Sequence, residues 1–315
     1  MIKKRKAFIC GIKGKKLSQK EILFLKKYKP WGIILFSRNI HSIKQTQRLT
    51  NQIKILFKDR KYPILVDEEG GRVSRLRNFI DNSKFSAEYF GELFKKDKKK
   101  FNLYFNIYIK QFSYLLNLLG ININTVPNLD LRRKFSHKVV GDRSYSSDPK
   151  EISKIGDICI NGFHKSGICT VIKHIPGHGL AKVDSHNKLP VVNHSFNYLM
   201  KNDFLTFKKK KSLFAMTGHV LFNDIDEYNC ATHSKKVIQI IRNKINFNNI
   251  IISDDLSMKS LKHSISINTK KAFTAGCNLV LHCNGNLNEM VKVATNSPYI
   301  NKFIIKKTSE FKDII

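Results

Sequence analysis

Eight short apolar runs, each closed by a polar or Gly-rich turn, constrain this chain more than any other feature. They are Ala7 to Gly11, Gly32 to Phe36, Pro63 to Val66, Ile121 to Val126, Cys169 to Ile172, Leu213 to Thr217, Ile250 to Ile252 and Leu279 to His282. Short, β-branched and bounded by turn residues, they read as strands. Longer segments with helical periodicity lie between them: Ser18 to Tyr28, Ser42 to Phe57, Lys99 to Leu119, Pro149 to Ser166, Phe196 to Lys211 and Ser234 to Lys244. Alternating strands and helices imply parallel pairing through right-handed crossovers. Eight such units close into an α/β fold of the single (β/α)8 TIM-barrel type, spanning residues 1–315 as one domain. A doubly wound Rossmann sheet is the competing arrangement, but Gly11-Ile12-Lys13-Gly14 lacks the third glycine of its first turn.

The 315 residues suffice for one large core. A 42% hydrophobic content argues against disorder, and no apolar run approaches the ~20 residues that span a bilayer. The expectation is a soluble protein with no membrane partner. Met1-Ile2-Lys3-Lys4-Arg5-Lys6 has the basic start of a signal peptide, but the apolar stretch after it is short and runs into Lys13 to Lys16. Six cysteines without a CxxC pair read as reduced core thiols, which fits a cytoplasmic location. The formal charge of +33 raises nucleic acid as a partner. The excess is spread in short runs, however, and Lys, Ile, Asn and Phe share AT-rich codons. Compositional bias therefore accounts for it better than a dedicated binding face, and no specific nucleic-acid partner is expected.

Several polar residues follow the runs at their C-terminal ends: Asp67, Asp130, Lys173, His174, His219 and Asp254. In a barrel these ends form the face on which active sites are built. The segment Lys173-His174-Ile175-Pro176-Gly177-His178-Gly179, followed by Asp184-Ser185-His186, combines glycines with proton carriers and suits a polar pocket. Histidines 174, 178 and 186 raise a metal site, but Pro176 and Gly177 break any shared helix face, and neither HExxH nor a thiol cluster is present. No metal or cofactor is expected. Asp254 ends a buried-looking run, where a free carboxylate is expensive unless bonded or used. Ser253, Asp254 and Asp255 are alternatively helix caps, and the reading divides them: Asp254 functional, Ser253 or Asp255 structural. Asp184 beside His186 forms a carboxylate-oriented imidazole, a usable acid/base near neutrality.

Taken in order, Asp67-Glu68-Glu69-Gly70-Gly71-Arg72-Val73-Ser74-Arg75, Gly141-Asp142-Arg143-Ser144-Tyr145, the Lys173-to-His186 block and Ile252-Ser253-Asp254-Asp255-Leu256-Ser257-Met258 strongly resemble glycoside hydrolase family 3. The closest likeness is to its bacterial cytoplasmic β-N-acetylglucosaminidases of peptidoglycan recycling. The resemblance covers about Trp31 to Cys283. It implies retaining release of a terminal β-linked N-acetylglucosamine from muropeptides carrying 1,6-anhydro-N-acetylmuramic acid, a small-molecule substrate; a monomer is the default expectation. Asp254 matches the family's nucleophile, His186 its acid/base on a loop after the fifth strand, and Asp184 the dyad partner. Asp67, Arg75, Arg143, Lys173 and His174 match the positions that hold the sugar. Departures are Glu68-Glu69-Gly70-Gly71 where Gln-Glu-Gly-Gly is familiar, Ile175 for Phe, Gly218 for Ala and Asp142 for Glu. The chain ends at Ile315, soon after the eighth run, which leaves the last helix expected to be incomplete.

Retaining hydrolysis places a nucleophile below the anomeric carbon and a proton donor above it, usually as two carboxylates ~5–5.5 Å apart. A histidine in the donor's place does not repel an anionic acceptor, so phosphorolysis stays open, as does action on β-glucosides. A barrel that has lost catalysis and binds RNA through its positive surface is the alternative from another class.

Overall fold

The computed structural model describes residues 4–133, 140–181, 183, 185 and 188–315. Its centre is a closed barrel of eight parallel strands in sequence order, Lys6–Gly11, Pro30–Leu35, Ile64–Val66, Ile123–Asn124, Cys169–Ile175, Phe214–Thr217, Ile250–Asp255 and Leu279–His282. Ring closure pairs Phe8 with Val280 and Ile9 with Leu281. Each of the eight apolar runs contains or overlaps one barrel strand, so the expected TIM barrel is the observed fold.

Strand alternation divides the core. Ala7, Ile9, Leu65, Ile123, Val171, Met216, Ile250 and Ile252 belong to the cluster that fills the barrel. Phe8, Cys10, Ile64, Ile172, Ala215 and Ile251 belong to the layer beneath the surrounding helices. Successive residues thus serve opposite faces, as the two-residue period of a strand requires. The helices begin where polar side chains take up the free N–H groups of a first turn. Ser18 and Glu21 form a reciprocal capping box for Gln19–Tyr28, and Asp148 precedes a helix with Pro149 in its first turn.

Two strands run further than their apolar runs. Lys173 and His174 lie inside Cys169–Ile175, and Asp254 and Asp255 inside Ile250–Asp255, rather than just beyond them. Lys173 pairs with Met216 and Ile175 with Thr217, so the register shifts by one residue at His174, an irregularity of the kind that re-aims side chains beside active sites, and pairing then resumes at the barrel mouth. The segment Phe196 to Lys211 is a helix only over Phe196–Lys201, and a 3-10 turn follows at Asp203–Phe207. Asn202 leaves helical geometry there, and Asp203 turns inward to Arg133. Two helices follow the eighth strand. The second, Lys302–Ile314, closes the N-terminal end of the barrel: Ile304 and Phe311 join the barrel core, and the Trp31 indole donates to Thr308 Oγ1 at 2.9 Å. Among the described residues no helix is long and apolar enough to cross a membrane.

Candidate active site

A cavity of ≈ 140 Å³ opens at the C-terminal ends of the strands, and its walls include Asp67, Arg75, Arg143, Lys173, His174 and Asp254. These six residues come from five separate places in the sequence, and the barrel gathers them. Asp184 and His186 lie outside the described residues. Ser185, between them, lines the cavity.

Asp67 follows the third barrel strand and is the hub of one charged network. Its Oδ1 accepts from Lys173 Nζ and from Thr125 Oγ1 (2.7 Å), and its Oδ2 from Arg75 Nη2 (2.7 Å). Burial alone would raise the Asp67 carboxyl, but Lys173, Arg75 and Arg143 outweigh it and hold the group well below the carboxylate range. Glu69 completes the network. It accepts a bidentate fork from Arg143 (2.7 and 2.8 Å) and meets Lys173 Nζ at 2.6 Å. Its carboxyl too is depressed, Arg143 and Lys173 overcoming burial. The cations at the mouth are thus fixed by partly buried carboxylates, and each side chain is held in place before any ligand arrives.

A second network centres on Asp130, which is almost wholly buried. Its Oδ2 meets His174 Nδ1 at 2.7 Å, while Oδ1 accepts the backbone N–H of His174 (3.2 Å) and of His178 (2.8 Å). One carboxylate therefore orients the His174 ring and pins the turn after the fifth strand. Burial pushes the His178 imidazole down to about 4, so it is neutral at pH 7, and its Nε2 lies 3.2 Å from Ser185 Oγ.

Asp254 lines the cavity near the end of the seventh strand, and its Oδ1 accepts the Asp255 N–H at 2.7 Å. Its neighbours carry the local structure. Asp255 accepts from Ser257 N (3.0 Å), Ser257 Oγ (2.8 Å) and Cys283 N (3.1 Å), and Ser253 Oγ accepts from Leu281 N (3.0 Å). None of the three caps a helix, because the next one, Ile265–Ala275, is capped by Ser264.

Glu69, Thr125 and Asp130 are parts of the site that sequence reasoning left without a role. The adjacent acids Asp67 to Glu69 were a visible signal for the first, and a carboxylate at a run's end for the last. Cys283, grouped with the core thiols, lines the cavity, whereas the other five cysteines are buried. Among the described residues no group of three His, Cys, Asp or Glu side chains is placed to hold a metal ion.

Residues 5–308 match the family model of the glycosyl hydrolase family 3 N-terminal domain. The chain belongs to glycoside hydrolase family 3. It is 34% identical over 287 residues to the β-hexosaminidase of Actinobacillus pleuropneumoniae serotype 3, a match covering 88% of this chain and 80% of that protein. NagZ of Neisseria gonorrhoeae, solved in complex with N-trifluoroacetyl-D-glucosamine, superposes with a TM-score of 0.83 at 27% identity, over 98% of this chain and 96% of its own. A family 3 β-N-acetylglucosaminidase from Paenibacillus reaches a TM-score of 0.86 at 23% identity, a likeness of fold alone, and the chain spans 60% of its length. This family 3 hydrolase is a β-N-acetylhexosaminidase acting on carbohydrate.

Proposed function

We propose that the chain is a retaining exo-β-N-acetylglucosaminidase that removes the terminal non-reducing N-acetylglucosamine of 1,6-anhydro-muropeptides, as a cytoplasmic monomer in peptidoglycan recycling. The observation that carries this is Asp254 in one cavity with Asp67, Arg75, Arg143, Lys173 and His174, charged and polar groups suited to sugar hydroxyls. A structural relative that holds an N-acylated glucosamine supports the choice of sugar.

Asp254 attacks the anomeric carbon as the bond to the leaving oxygen breaks, and His186, oriented by Asp184, gives that oxygen its proton. The product of this half is a glycosyl ester on Asp254. Water then attacks the same carbon, His186 takes its proton, and the carboxylate leaves. Asp67, Arg75, Lys173 and His174 offer fixed donors and acceptors to the sugar hydroxyls. A sugar lacking a matching hydroxyl leaves a buried polar group unpaired, which is how such a site discriminates. Because these groups are already held by ion pairs, little reorganisation is needed as charge develops on the ring.

The test is nitrophenol release from 4-nitrophenyl N-acetyl-β-glucosaminide and from the β-glucoside, with and without phosphate, by the parent and by Asp254→Asn and His186→Ala. The reading expects activity on the first substrate only, indifferent to phosphate and abolished in Asp254→Asn. His186→Ala should slow poor leaving groups far more than nitrophenol. Undiminished turnover in Asp254→Asn ends the proposal.

A further inference from the structure

His219 follows the sixth apolar run, yet it is not among the residues that wall the cavity. It is wholly buried, two positions beyond the strand Phe214–Thr217. That strand pairs Phe214, Ala215 and Met216 with Ile250, Ile251 and Ile252, and among the described residues the ladder ends there. Asp254 and Asp255 therefore lie past the last paired residues on this side of their own strand. His219 spans the gap, with its Nε2 3.0 Å from the Asp255 carbonyl oxygen.

A carbonyl oxygen can only accept, so Nε2 carries the proton and donates. The other ring nitrogen, Nδ1, meets Thr232 Oγ1 at 2.8 Å, and that hydroxyl meets Thr217 Oγ1 at 2.8 Å. Both threonines are as buried as the ring. An imidazole bonded at both nitrogens cannot turn without losing a bond, so its Nε2–H has a fixed aim.

Asp255 passes this constraint on. Its N–H donates to Asp254 Oδ1 at 2.7 Å, and its own Oδ1 accepts from Cys283 N and Ser257 N. On the far side Leu281 pairs with Asp255, and Leu256 N donates to Leu281 O at 2.9 Å. The Asp255 carbonyl also accepts the Met258 N–H at 3.1 Å, a bond within its own turn that ties it to no neighbouring strand. The end of the seventh strand is thus gripped from the eighth by its backbone and from the sixth by an imidazole.

We propose that His219 is a positioning residue for the nucleophile: by holding the Asp255 carbonyl it fixes the strand end from which Asp254 meets the anomeric carbon. The proposal rests on the reading of Asp254 as nucleophile, and it gives control of the chemical step to a side chain outside the cavity.

Three variants test it. His219→Leu removes the donor, His219→Gln keeps an N–H at the end of the side chain, and Thr232→Val frees the ring to turn. Each is compared with the parent and with Asp254→Asn in single-turnover release of nitrophenol from 4-nitrophenyl N-acetyl-β-glucosaminide. Calorimetric titration with N-acetylglucosamine reads sugar binding separately, and thermal unfolding confirms that each variant is folded. A reacting group misplaced by ~1 Å costs on the order of a hundredfold, so His219→Leu should slow the single turnover about ten- to a hundredfold. Thr232→Val should slow it several-fold, and His219→Gln should recover to within about threefold of the parent, with N-acetylglucosamine affinity within about twofold in all three. Sugar affinity that falls along with the rate reports a loosened barrel and overturns the proposal, as does a rate within twofold of the parent in His219→Leu. Should His219→Leu fail to fold, a parent-like rate in Thr232→Val or no recovery in His219→Gln overturns it instead. Undiminished turnover in Asp254→Asn removes the nucleophile reading and this proposal with it, whereas loss in Asp254→Asn beside an unaffected His219→Leu refutes the role of His219 alone.

Discussion

Asp203→Asn tests whether burial or ion pairing governs the ground beneath the turn after the fifth strand. Asp203 is 2% exposed and packs directly under that turn: a Cβ on Gly177 would lie 2.8 Å from its Cβ, and one on Gly179 2.8 Å from its Oδ1. Its Oδ2 meets Arg133 Nη2 at 3.0 Å, but its Oδ1 has no hydrogen-bond partner among the described residues. Burial raises the carboxyl to about 6 in spite of Arg133. An acid raised on folding stabilises the fold fully below its unfolded value, near 4, and that contribution is lost as pH rises through its folded value. The difference is about two pH units at ~1.4 kcal/mol each, or roughly 3 kcal/mol between pH 4 and pH 7.5. Asparagine does not titrate. Urea unfolding of both proteins across that range should therefore show the stability of the parent falling relative to Asp203→Asn by about 3 kcal/mol as pH rises. Other groups titrate in both proteins and cancel in the difference. A difference that stays constant would refute the reasoning. One that moves the other way would show that Arg133, not burial, sets the carboxyl.

Glu68 is a second buried acid, raised by burial, whose oxygens accept from Asn82, Ser74 and the Arg75 and Leu76 N–H groups but, among the described residues, from no cation. Glu68→Gln should keep activity and gain stability at neutral pH, with the gain vanishing as pH falls and Glu68 protonates; unfolding at pH 4 and 7.5 decides it. Asp130→Asn removes the charge that orients His174. A charge-assisted bond of ~1.5–3 kcal/mol predicts a loss of roughly ten- to 150-fold in kcat/KM, and a change under twofold contradicts the role. Lys173→Met leaves Asp67 and Glu69 short of a buried cation, 3% exposed in the parent. The expected loss is ~3–5 kcal/mol in urea unfolding, and under 1 kcal/mol would show the carboxylates to be satisfied without it. Gly91→Ala would place a Cβ 1.6 Å from the Tyr145 carbonyl oxygen. Overpacking of this kind costs ~1–3 kcal/mol, and an unchanged urea midpoint would mean the backbone yields freely.

What was legible in the sequence and what was not divide along a physical line. Ile250 to Ile252 reads as a strand because consecutive β-branched residues suit a strand buried on both faces, whatever lies elsewhere in the chain. Asp254 and the Lys173-to-His178 segment are legible for the opposite reason, as polar and Gly-Pro-rich material placed where a barrel opens. The continuation of strands through Lys173 and Asp255 is not legible, because it depends on cross-strand pairing with Met216 and Leu281. The residues that hold other residues are the hardest to find. Glu69 and Arg143 are 74 positions apart, and Asp130 and His174 are 44 apart, so each pair exists only once the barrel has fixed the register of its strands. The exposed apolar residues of the helix Lys98–Leu118 are hidden differently. Its period announces a helix, but a period satisfied by Phe101, Phe105 and Phe112 on one side does not reveal that Leu103, Ile107 and Tyr114 repeat it on another. Sequence patterns report what a residue needs from its own element, and the site is built from what one element needs of another.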